Sequence, residues 1–140
     1  MRLWHKDLIP VLPRQQLIGQ WRECCAIAKA IAENGTPNHI LVNRIMDYSI
    51  QDFFHYALLI DNEMHKRGYK CSFYKFSMFI SEIFPISKIK TTFNKEEVFS
   101  NWHNDRYLQQ CLHNLQEKYD CGAIPDEEWN FIIKKYPSVA

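Results

Sequence analysis

Between Gln15 and Glu23 the run Gln-Gln-Leu-Ile-Gly-Gln-Trp-Arg-Glu sets polar side chains at helical spacing. On a period of about 3.6 residues, Gln16, Gln20 and Glu23 share one face, roughly opposite the apolar residues, with Gly19 and Arg22 flanking. The chemistry open to such a face is proton transfer or charge stabilisation by a single carboxylate. Periodicity alone leaves two readings open: an ordinary solvated helix face, or a polar site built around Glu23. Other chemistries lack their patterns. The six histidines and five cysteines show neither a C-x-x-C nor an H-E-x-x-H spacing, so no metal site is expected. Four scattered glycines cannot make a phosphate-cradling loop, so no cofactor is expected. An odd number of cysteines with an adjacent pair, Cys24-Cys25, is a poor disulfide framework, and core packing is their default role.

The elements that must position this face are helical throughout. Residues 1–13, with Pro10 and Pro13 and no helical period, read as an extended arm ordered by packing near the first helix. From Arg14 to Asn34 the residues Leu17, Ile18, Trp21, Cys24, Cys25, Ala28 and Ile31 recur as an amphipathic stripe, stopped by Asn34-Gly35 and Pro37. A second helical region is expected from about Asn38 to Tyr48. Ser49 caps a third from Ile50 to about Arg67, whose buried side is Ile50, Phe53, Phe54, Ala57, Leu58, Ile60 and Met64, and Gly68 ends it. The dense apolar segment 69–89 is ambiguous, and a short helix ending before Pro85 is favoured. A basic connection over 88–94 leads to a helical stretch from about Lys95 to Tyr119, with a possible break at Asn104-Asp105. Pro125 and three acids open a last helix, which Trp129 and Ile132-Ile133 should bury. The expected fold is therefore all-α, a single helical domain over residues 1–140.

Composition agrees with a packed core: 46% hydrophobic and 24% charged residues lie far from the signature of disorder. No apolar run approaches the roughly 20 residues of a membrane span, and Lys6, Asp7 and two prolines interrupt the place of a signal peptide. A cytoplasmic protein is the expectation. The net charge of +1 is not the footprint of a strongly basic nucleic-acid binder, although a local basic patch suffices for phosphate contact.

The run Leu-Ile-Gly-Gln-Trp-Arg-Glu at 17–23, one arm's length after Met1-Arg2-Leu3, resembles the opening of the pyrimidine-dimer glycosylase family typified by phage endonuclease V. The segment from Asn62 to Tyr69, ending Lys-Arg-Gly-Tyr, is similar to that family's helix ending in Lys-Arg-Gly-aromatic. The strings Leu-Pro-Arg-Gln-Gln-Leu and Arg-Glu-Cys-Cys resemble its bacterial members most closely. The resemblance covers about the first half of the chain.

It implies a DNA repair glycosylase with abasic-site lyase activity, acting on pyrimidine dimers in double-stranded DNA. The amine of the first residue, here Met1, would attack C1′, release the base, form an imine and permit strand cleavage by β-elimination. A terminal amine suits this, because an α-amino group with a reference pKa of about 7.7–8.0 keeps a neutral fraction that lysine, at about 10.4, does not. By the same resemblance Glu23 is the catalytic glutamate, Arg2 and Arg22 hold phosphates of a kinked duplex, and Gln15 and Gln16 lie near the minor-groove side of the lesion. Gln16 stands where the phage enzyme has histidine, and Ala26 where it has a phosphate-binding arginine. Two alternatives stay open at this level: a glycosylase or lyase for another lesion, and a non-catalytic helical binding module of the same fold.

Overall fold

The computed structural model describes residues 1–140 and contains helices but no strands. Five α-helices form it: α1 (Arg14–Asn34), α2 (Ile50–Lys66), α3 (Tyr74–Ser81), α4 (Asp105–Asp120) and α5 (Asp126–Lys135). One cluster of buried apolar side chains runs from Leu3 to Val139 and joins the arm to every α-helix. No helix is long and apolar enough to cross a membrane.

The helix α1 begins and ends where its sequence signals stand. Its C-terminus closes on Gly35, at φ 77°, whose N–H donates to the Ile31 carbonyl. No side chain in its own sequence caps its N-terminus; instead Glu128 of α5 accepts from the Arg14 N–H at 2.6 Å. Leu17, Cys24, Ile27, Ala28 and Ile31 are buried, and the helix packs on α2 and α3. The helix α2 is capped by Ser49, whose hydroxyl accepts from the Gln51 N–H at 3.2 Å. It ends at Gly68, φ 81°, with the Tyr69 N–H reaching back to the Met64 carbonyl. Trp129 and Ile132 bury α5, as its apolar spacing requires, while Phe131 is exposed.

Three expectations need correction. The arm is not extended throughout: Lys6–Val11 forms a 3₁₀ helix, too short to register as a period, with the Asp7 N–H donating to His5 Nδ1 and the Lys6 N–H to His103 Nδ1. The region 38–48 is not a continuous helix. Asn38 takes φ 56°, a turn follows, and only Asn43–Asp47 is helical, as a 3₁₀ segment. The stretch from Lys95 breaks at Asn104-Asp105 as the sequence allows, but the part before the break is not an α-helix. A 3₁₀ turn over Lys95–Glu97 and turns through Phe99, at φ 51°, precede α4, which starts at Asp105 because Asn104 caps it by accepting from the Tyr107 N–H.

Candidate active site

The N-terminal segment is tied down carbonyl by carbonyl. Gln20 Nε2 of α1 donates to the Arg2 carbonyl at 2.9 Å, the Tyr107 hydroxyl of α4 donates to that of Leu3, and the Tyr56 hydroxyl of α2 donates to that of Trp4 at 2.6 Å. Gln20 Oε1 accepts from the Trp4 N–H at 2.7 Å. Leu3 and Trp4 are buried beneath this net. Three helices thus hold residues 2–4, and the first residue's amine is left at the surface end of a rigid segment. A buried backbone needs partners for each N–H and C=O, and the amide of Gln20 supplies one acceptor and two donors where the arm crosses α1. Of the two readings left open for this face, Gln20 does not fit the solvated one: it is 1% exposed.

The same Gln20 Nε2 also donates to Glu23 Oε2 at 3.1 Å. Glu23 is half-buried, and burial pushes its carboxyl above the ordinary value. The terminal ammonium, the Arg2 N–H, His39 and Gln20 pull the other way. The carboxyl therefore feels the charge of the Met1 amine, burial favours its protonated form, and its Oε2 accepts from the buried Gln20 amide.

Of the residues singled out from the sequence, the structure brings together Met1, Arg2 and Glu23. Met1 is 47% exposed, and the Arg2 guanidinium lies over the Trp4 ring, 5.5 Å from its centre. Arg22 is exposed one residue before Glu23, in an open groove of about 410 Å³ with Trp21, Cys25, Ala26, Lys29, Lys75 and Phe79. Gln15 is exposed. Gln16 is half-buried, with a buried Oε1 that has no hydrogen-bond partner.

Sequence reasoning missed five contributors. Tyr56 and Tyr107 hold the arm from helices distant in sequence. Lys29 and Lys75 put cations around Ala26. The loop after α1 brings His39 toward Glu23 and joins Arg2 in a second open pocket of about 400 Å³ with Ile40, Leu41, Arg44, Trp102, Tyr107 and Gln110. Only Lys29 carried a local signal, lying seven residues, or two helical turns, after Arg22.

Comparison with known families places residues 1–75 under a family model described as pyrimidine dimer DNA glycosylase, more than half of the 140-residue chain. No curated protein and no solved structure matches.

Proposed function

Because the chain belongs to the pyrimidine dimer DNA glycosylase family, we propose that it is a DNA repair glycosylase with abasic-site lyase activity, acting on pyrimidine dimers in duplex DNA. The observation that carries this reading is the anchoring of the Arg2, Leu3 and Trp4 carbonyls, which sets the adjoining Met1 amine where its charge acts on the half-buried Glu23 carboxylate.

The Met1 nitrogen, when neutral, donates its lone pair to C1′ of the damaged nucleotide. The glycosidic bond breaks, its electron pair leaves with the base, and the base takes up a proton. Opening of the sugar ring, with the ring oxygen protonated, gives a cationic imine at C1′. Loss of a C2′ proton then expels the 3′ phosphate and cleaves the strand. Glu23 stabilises the cationic C1′ and imine and shuttles the protons, a role that its desolvated, amide-oriented carboxyl suits. Positioning matters as much, since a fixed near-attack geometry supplies a large part of such accelerations. Arg2 and Arg22 contact phosphates, and Gln15 and Gln16 face the lesion from the minor groove.

The test uses untagged protein whose intact mass shows a free Met1, mixed with ultraviolet-damaged duplex and with an abasic duplex, then borohydride. A covalent adduct on the damaged duplex, mapped to the N-terminal peptide and lost in Glu23→Gln, is the expected result. An adduct on the abasic duplex alone would leave a lyase for another lesion, and none on either would favour the binding module.

A further inference from the structure

The loop between α1 and α2 exposes Ile40 by 84% and Leu41 by 49%. Both stand on a rigid tip. Thr36 Oγ1 accepts from the Asn38 N–H at 3.2 Å, Asn43 Oδ1 from the His39 N–H at 3.0 Å, and His39 Nδ1 from the Leu41 N–H at 3.2 Å. The His39 carbonyl accepts from both Val42 and Asn43, and Val42 and Ile45 are fully buried below. Leaving aliphatic side chains of this size in water forgoes the gain of burying them, and a backbone tied this firmly holds both side chains out.

Their surroundings say what covers them. Ile40 and Leu41 line one pocket with Arg2 and Arg44. Each arginine lies over a tryptophan, Arg2 on Trp4 and Arg44 on Trp102, both at 5.5 Å, and neither forms an ion pair with a carboxylate. An apolar tip flanked by two free cations complements a polyanion with an apolar interior, which describes stacked bases between phosphates. The tip also adjoins the chemistry, since His39 and the terminal amine both act on Glu23.

We propose that Ile40 and Leu41 form a wedge that enters the base stack of duplex DNA at the lesion, while Arg2 and Arg44 hold the phosphates on either side. This rests on the glycosylase reading. Burying two aliphatic side chains returns free energy of the same order as separating one base step costs, so two residues suffice to offset one opened step.

The test compares single-turnover borohydride trapping on one abasic strand, alone and annealed to its complement, for wild type, the Ile40→Ala/Leu41→Ala double variant and Ile40→Asp. Thermal melts check that the exposed substitutions leave folding intact. The expected result is a duplex-to-single-strand rate ratio at least tenfold lower in both variants, with Ile40→Asp the more impaired. A 2-aminopurine opposite the abasic site should brighten with wild type and stay dark with the variants. An unchanged ratio with wild-type brightening retained would overturn the wedge alone. Wild type forming no adduct on either strand would overturn the imine reading, and the wedge with it.

Discussion

Glu23 works against the fold it belongs to. Its carboxyl is pushed up chiefly by burial, so folding is opposed wherever it must be ionised. A carboxyl raised in this way has its most favourable effect on folding below its unfolded value of 4.5, and that benefit is lost as pH rises through the folded value. Glu23→Gln removes the charge while keeping an oxygen to accept from Gln20. This variant should therefore melt at the same or a higher temperature than wild type at pH 7 to 8, with the difference closing toward pH 4. Its imine-trapping rate should fall by about 100-fold or more, the scale of losing a positioned proton-transfer group. A simultaneous loss of stability at pH 8 would mean that the carboxylate is structural.

At the scale of elements, the arm and the end of α2 are joined by one guanidinium. Arg67 donates to Glu63 at 2.8 Å and to the carbonyls of Leu12 at 2.8 Å, Pro10 at 3.2 Å and Ile9 at 3.3 Å. These are carbonyls at the end of the 3₁₀ segment, where intrahelical partners run out. The Lys-Arg-Gly string before Tyr69 thus has a structural use: arginine clamps the arm and glycine turns the chain away. Arg67→Ala should cost about 2–3 kcal/mol, the range for lost hydrogen bonds to a charged group, measured by urea denaturation. Hydrogen exchange should quicken at residues 6–12 while the interior of α4 stays protected. Uniform loss of protection would show that the arm is part of the global folding unit.

At the scale of the molecule, the half beyond the family match buttresses the half within it. Lys6 is buried, and its ammonium donates to the carbonyls of Glu96 at 2.8 Å and Val98 at 2.7 Å. His103 accepts the Lys6 N–H at Nδ1, so its own proton sits on Nε2, which is buried without a partner. Stacked on His5 at 5.1 Å and ringed by Phe99, Trp102 and Tyr107, it is held neutral, its pKa pushed well below 6.5 by burial and then by His5, Lys6 and Arg44. A lowered folded value means that this stability is present above 6.5 and is lost as pH falls, because the unfolded chain takes up the proton first. As pH falls below 6.5 toward 5 the loss from one such histidine approaches a limit of about 1.4 kcal/mol per pH unit. Melting temperature should therefore fall over that range in wild type and fall less in His103→Asn, whose Oδ1 can still accept the Lys6 N–H. Equal slopes would assign the acid sensitivity elsewhere.

The sequence by itself determined what depends on neighbours in the chain. The bounds of α1 follow from its stripe and from Asn34-Gly35, the start of α2 from Ser49, and the start of α5 from Pro125 and its acids. The Glu23 position and the family were legible because short strings carry them at a set distance from Met1. The tertiary structure decided what depends on distant partners. Gln20 left the solvated face because the arm needed its amide, and the arm coiled because His5 and His103 received its first N–H groups. The exposed tip at Ile40 arose where Asn38 turned left-handed and ended a helical pattern. Periodicity reports which faces are apolar; it says nothing of which polar group a neighbouring segment will require, and that requirement is what gathers the amine and the carboxylate into one place.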